Sequence, residues 1–340
     1  MMKMGGVKKD ANAVLFFVPA DLWPDDITSE SGYFWSANRS GKWNWTIQTY
    51  QHLKEGGFEC TLTKELPTSG IIVAHREVLP NHLKPSGGQL LVCIQADHGR
   101  HPYAQLHVLQ NSEGVKAAQA SRREQVVKKI IPFNEQSIFL KYWPQPELIP
   151  RSEDRRDRFE NVVYMGRAKN LAPALRSDVF IGEMEKLGIN WQVEEDRAKW
   201  VDYQEIDAIV AVRDFDREPH LHKPATKLYN AWHAGVPAIL GSDSAFKAER
   251  KSSLDYIEVH SVEDVIQAVY KLKTDAAFRQ QMINNGRERA KETTTEVLTD
   301  AWIHFFEEVA YPAYQLWRKQ PVWKQQLYLT LLNLFNMKRQ

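Results

Sequence analysis

From residue 161 onward, short apolar runs alternate with helical segments, and this alternation constrains the fold more than any other feature of the chain. "NVVYMG" reads as a buried strand ending at Gly166, "SDVFIGEMEKLG" as a helix closed by Gly188, and "INWQVE" as a strand. "WVDYQE" reads as a short helical turn and "IDAIVAVR" as another buried strand. The helix within "HKPATKLYNAWHAG" leads through Val236-Pro237 into the strand "PAIL". "YIEV" then precedes the helix "SVEDVIQAVYKLKTD", with Ser261 as N-cap and Glu263 in the first turn. Strands that are apolar throughout are covered on both faces, so the pattern predicts a doubly wound parallel sheet whose ligands sit at the carboxyl ends of the strands.

The first half carries a looser version of the same order. "AVLFFVP", "FECTLT", "GIIVAHR", "LLVCIQ" and "AQLHVLQ" read as strands, and "TIQTYQHLKEGG" as a helix ending at Gly56-Gly57. With 340 residues the chain has room for two domains of this kind. Three prolines and a dense charge run in "KYWPQPELIPRSEDRRDRFEN" mark the passage between them. The expected division is an α/β domain over 1–145, a linker over 146–160, a second Rossmann-like domain over 161–292, and C-terminal helices over 293–340. In those helices Trp302, Phe305, Phe306 and Val309 share one face, and Val322, Trp323, Leu327, Leu331 and Leu334 another. The latter face either docks on the protein or lies on a membrane surface, with Lys324, Lys338 and Arg339 as basic flanks.

Net charge is +1, which gives no electrostatic footprint for nucleic acid and leaves a tryptophan-platform binder of single strands without its basic groove. Two cysteines, Cys60 and Cys93, are too few for a disulfide framework and read as buried thiols in a reducing compartment. No apolar run is long enough for a signal peptide or a bilayer span, so the expected location is cytoplasmic, with peripheral contact through 321–339 at the inner membrane face.

Lys223 and Lys227 stand where a helix dipole disfavours them, at the start of the 222–235 segment. An anion with more than one charge would make sense of them, because a helix N-terminus already offers free N–H groups. Pro224 suits a first turn, and Thr226 could cap or donate its hydroxyl. Arg167 and Lys169 follow one strand, and Arg213 another, so several cations gather at one rim of a nearly neutral chain. Neither "GxGxxG" nor "GxxxxGK[ST]" is present, which argues against dinucleotide and P-loop sites.

"KLYNAWHAGVPAIL" resembles the "K-[LV]-x-E-[AY]-M-A-x-G-x-P-V-[IV]" element of nucleotide-sugar glycosyltransferases of the GT-B architecture, and "YMGRAKN" looks like their "GR…K" element. The resemblance covers roughly 162–290. It implies two Rossmann-like domains facing a cleft, C-terminal helices returning to the first domain, and a donor diphosphate held by Arg167 and Lys227. The glutamate that holds the ribose in the family is Asn230 here, and the one that contacts the donor sugar is His222. Lys169, Arg213, Lys223 and Thr226 complete the expected donor set, with Glu218 nearby. No metal site and no cofactor are expected; the donor is a substrate, and the cations take the neutralising role of a metal.

The same resemblance makes the first domain the acceptor side. Trp23, Tyr33, Trp35 and Trp43 would offer aromatic faces to a glycan or lipid-linked acceptor, or else fill the domain's own core, as would Trp45. Candidates for a general base are Asp21, with Asp25, Asp26 and Glu30 in the same loop, and Asp97, His98 and His101 after a later strand. A retaining enzyme needs no such base, because the leaving diphosphate can take the proton. The expected activity is transfer of a sugar from a nucleoside-diphosphate sugar in polysaccharide or glycolipid assembly. A catalytically silent nucleotide-sugar-binding protein of the same fold is the alternative, kept open by Asn230 and His222.

Overall fold

The computed structural model describes residues 13–24, 43–216 and 218–337. Its first sheet has six parallel strands: β1 (Val14–Phe17), β2 (Cys60–Thr63), β3 (Gly70–His75), β4 (Gln89–Ile94), β5 (Leu106–Leu109) and β6 (Ser137–Phe139), in the order β2-β1-β3-β4-β5-β6. Every residue of β3 and β4 is buried, as the apolar runs Ile71–Ala74 and Leu90–Ile94 require when both faces are covered. Around the sheet lie α1 (Thr49–Glu55), α2 (Ser112–Gln119) and α3 (Arg122–Val127). The Asn111 side-chain oxygen caps α2 by accepting from the N–H groups of Glu113 and Gly114.

The second sheet has five parallel strands: β7 (Asn161–Met165), β8 (Asn190–Glu194), β9 (Ala208–Ala211), β10 (Ala238–Leu240) and β11 (Ile257–Glu258), in the order β11-β10-β9-β7-β8. Its helices are α4 (Asp178–Lys186), α5 (Thr226–Ala234), α6 (Ser244–Glu249), α7 (Val262–Thr274) and α8 (Ala276–Ala290). Ser261 caps α7 by accepting from the Asp264 N–H, as expected. Gly235 ends α5 at φ +69°, in the left-handed region that favours glycine.

The remaining helices, α9 (Thr295–Phe305), α10 (Tyr311–Arg318) and α11 (Val322–Met337), return to the first domain. Trp302, Phe305, Phe306, Tyr314, Trp317 and Tyr328 enter its core beside Phe16, Val73 and Leu90. The Tyr314 hydroxyl accepts from the Gly70 N–H and donates to the Gly88 carbonyl, so α10 is tied to the starts of β3 and β4. In α11 the docked residues are Tyr328, Leu329 and Leu332, whereas Val322, Trp323, Leu327 and Leu334 are exposed. Among the described residues no helix is long and apolar enough to cross a membrane.

Two expectations are sharpened. The charge run after residue 149 is no solvated spacer: Arg155 is buried and donates from Nε and Nη2 to the two carboxylate oxygens of Asp207, and Arg151 donates to the same residue. Ile149 is bonded to Val201 and Tyr203, so this segment belongs with the second sheet. Both cysteines are free and buried, and burial pushes each thiol up to about 12.

Candidate functional site

The carboxyl ends of the two sheets face one another, and the side chains singled out above lie mainly on the loops there. On the second domain, β7 ends at Met165 and turns at Gly166, whose φ is +153°. A Cβ on Gly166 would come within 2.8 Å of the Tyr164 hydroxyl and 3.2 Å of the Lys227 Nζ. The glycine therefore opens the space in which the Lys227 ammonium donates to the Met165 carbonyl at 2.5 Å. Lys227 lies in the first turn of α5, and its ammonium stands 5.0 Å from the centre of the Tyr164 ring. Burial, and next the charge of Arg213, push the Lys227 amine down to about 7, against the opposing pull of Asp243. The Arg213 guanidinium donates to Asp243 at 2.9 Å. Tyr164, Asn170, Arg213, Lys227, Asp243 and Phe246 line a small pocket that is partly open to solvent.

Other members of the expected donor set stand apart from this pocket. Arg167 and Lys169 are exposed, in and beside a short turn over Ala168–Asn170. Thr226 is the first residue of α5 and does not cap it; the N-cap position is Ala225, and no side chain bonds there. His222 and Glu218 are exposed. Asn230 is buried, and its side-chain oxygen accepts from the Gln145 N–H at 2.9 Å, so it braces the segment between the domains and does not line the pocket.

Lys223 reaches across to the first domain, where its ammonium donates to Asp97 at 2.9 Å. Burial raises the Asp97 carboxyl, but the bond and charge of Lys223 outweigh it and leave the carboxyl below its ordinary value. Asp97 follows Ala96, whose φ of +49° is unusual for a residue with a Cβ. His220, shortly before Lys223, has a φ of +45°. Strained backbone on both facing loops is the kind that persists where surrounding structure holds a side chain in a set direction. Behind this pair, Asn111 donates to the Lys223 carbonyl and the Ser244 hydroxyl, at 3.1 and 2.9 Å.

The remaining candidates on the first domain separate clearly. The His98 Nε2 lies 3.6 Å from Asp97 and 3.8 Å from Glu77. His101 is buried scaffold and no base: its Nδ1 accepts from the Tyr103 and Ala104 N–H groups, its Nε2 faces the Pro80 carbonyl, and burial lowers it to about 4. Asp21 is exposed in a short helical turn after β1. Trp23 and Trp43 are half-buried against Val18 and Ile47, with the Trp43 indole donating to the Leu22 carbonyl. Trp45 is buried, with its ring 3.6 Å from that of Tyr142. The aromatic loop thus contributes to packing through these three residues; Tyr33, Trp35, Asp25, Asp26 and Glu30 lie outside the described residues. Sequence reasoning missed Asp243, Tyr164, Asn111 and Glu77, which gain their positions only from strand order.

Two facing parallel sheets, a cleft at their carboxyl ends and terminal helices crossing back to the first domain define the GT-B fold of glycosyltransferases. No protein-family model matches the chain, and no curated protein does. Among solved structures it is similar to the pneumococcal O-GlcNAc transferase GtfA in complex with UDP and GlcNAc, with a TM-score of 0.51 and 12% identity over 78% of this chain. The chain covers 60% of that protein's length. It is also similar to AviGT4, a glycosyltransferase involved in avilamycin A biosynthesis, with a TM-score of 0.50 and 11% identity. That match covers 88% of this chain and 98% of the other.

Proposed function

We propose that the protein transfers a sugar from a nucleoside-diphosphate sugar to a glycan or lipid-linked acceptor. The observation that carries this reading is the Lys227 ammonium, half-buried in the first turn of α5 near Arg213 and lining the pocket at the cleft side. A diphosphate there would meet the ammonium, the guanidinium and the free N–H groups of the helix terminus, each charge-assisted bond contributing roughly 1.5–3 kcal/mol. The same anion would draw Lys223 away from Asp97, 2.9 Å distant. Asp97 is then the carboxylate free to accept a proton from an acceptor hydroxyl on the first domain. The fold supports this division of labour, with the donor on the second domain and the acceptor on the first. Assembly of a surface polysaccharide or glycolipid at the cytoplasmic membrane face is the pathway class we assign, the exposed face of α11 meeting the membrane.

Thermal unfolding with UDP, GDP, ADP, CDP and dTDP tests the donor site. A nucleotide at about 100 times its dissociation constant should stabilise the fold by about 2.7 kcal/mol, and Lys227→Ala should abolish the shift. If no nucleotide raises the midpoint, the donor reading fails. Asn230 and His222, which stand where the resemblance implies glutamates, favour a second reading: a protein that binds the donor without transferring or hydrolysing it. Release of free nucleotide from the bound donor, followed in the presence and absence of acceptor, separates the two.

A further inference from the structure

We propose that His75, Glu77 and His98 form a binding site for a divalent transition-metal ion of the zinc class, on the first domain's wall of the cleft. One ligand atom from each residue lies within 4.8 Å of the other two. The Glu77 carboxylate stands 3.8 Å from the His75 Nδ1 through one oxygen and 3.8 Å from the His98 Nε2 through the other. These separations are too long for hydrogen bonds. They are close to the about 3.3 Å between ligand atoms around a tetrahedral ion with bonds of about 2.0–2.1 Å. Each of these two separations shortens by about half an ångström to match, and the three ligand atoms, within 4.8 Å of one another, draw together as the ion binds. Among the described residues the ion-pair partners of Glu77 are these two imidazoles, so no ammonium or guanidinium already neutralises it.

The scaffold is built for such a role. His75 ends β3 and is buried, and His98 lies just past the end of β4, on neighbouring strands of a covered sheet. Arg76 ties the two loops together, donating to the Gly99 carbonyl at 3.1 Å, the Leu79 carbonyl at 3.0 Å and the Asn81 side chain at 2.5 Å. His101 holds the Pro80 carbonyl from the other side. The ligands therefore lose little freedom on closing. The ion would take the His75 lone pair that now faces the Glu77 N–H at 3.2 Å, and Asp97 stands between it and Lys223 to offset their repulsion. Two imidazoles and one carboxylate select zinc-class ions over magnesium or calcium, which prefer all-oxygen sites. Three protein ligands leave a fourth position for water or an oxygen ligand on the exposed side, where Glu77 and His98 meet the cleft. The inference assigns His98 to a ligand, leaving proton transfer to Asp97, and stands independently of the donor site.

The test uses the full chain, stripped of metal with a chelator and dialysed against zinc, cobalt or magnesium. We expect a single zinc ion per chain, a raised unfolding midpoint with zinc, and visible cobalt absorption of tetrahedral type. Glu77→Gln and His98→Ala should each lower zinc affinity by roughly tenfold or more. His82→Ala, an exposed histidine outside the cluster, should leave it unchanged. Metal-free midpoints of the variants show that they fold. No zinc uptake by the wild type, zinc uptake that survives both ligand variants, or a preference for magnesium would each overturn the proposal. None of these outcomes bears on the nucleotide-dependent shift, which is read in chelator.

Discussion

Lys227 is held at the first turn of a helix, where the backbone dipole already repels a cation, and its amine is pushed down to about 7. Since its unfolded value is near 10.4, the unfolded chain binds the extra proton between those two pH values, and stability contributed at this site rises with pH across that window. Below about 7 both states are charged and the whole penalty is present. Lys227→Met should therefore raise the unfolding midpoint of the free protein by several degrees at pH 6 and by much less at pH 10.5, a difference that paired thermal melts would resolve. An equal gain at both pH values would mean that the charge is not what destabilises the site. Lys227 was legible in the sequence because two lysines before a helix contradict a local preference. Its neighbour Asp243 was not, because only the pairing of β9 with β10 brings residue 243 to Arg213.

At the scale of elements, periodicity identified α11 but not the side it presents. Its sixteen residues carry a single charge, Lys324, and both of its faces are apolar. From sequence, Val322, Trp323, Leu327, Leu331 and Leu334 were the face expected to dock or to lie on a membrane; Tyr328 and Leu332 dock instead, in the core with Phe133 and Trp317. Val322 and Trp323 are left 70% and 67% exposed, beyond the exposed cations Arg318 and Lys319. An uncharged face of this kind next to basic residues suits the boundary of an anionic bilayer. Co-sedimentation with vesicles containing anionic lipid should retain the wild type and lose most of a Trp323→Ser/Leu327→Ser variant. Retention of that variant, or none of the wild type, would remove the membrane from the proposed function. The 149–160 segment shows the opposite failure of sequence reading. Prolines and charges signalled a spacer, yet Arg155 bonds to Asp207, a pairing over more than fifty positions that no local pattern encodes.

Across the whole molecule, the alternation of strands and helices carried the two parallel sheets, while the cleft and the returning helices came only from the resemblance to the glycosyltransferases. What the alternation could not supply was contact between domains. The Asn111 cap of α2 reaches Lys223 and Ser244, and α2 approaches so closely that a Cβ on Gly114 would clash with the Leu221 carbonyl. Gly114→Ala should wedge the domains apart, enlarging the radius of gyration in X-ray scattering while the melting midpoint falls only slightly. An unchanged scattering profile would show that the loop around Leu221 gives way instead.

The chain passes between the domains twice, once near residue 141 and once near 292, and Lys141 lies 2.8 Å from Glu249 and 3.5 Å from Glu292. The two passages are thereby pinned side by side, like the paired knuckles of a door. A body attached at two adjacent points keeps one easy axis of rotation, running through both, and resists twisting and sliding. Rotation about that axis has to release the Asp97–Lys223 contact together with the Asn111 bonds to Lys223 and Ser244, while neither sheet needs to bend.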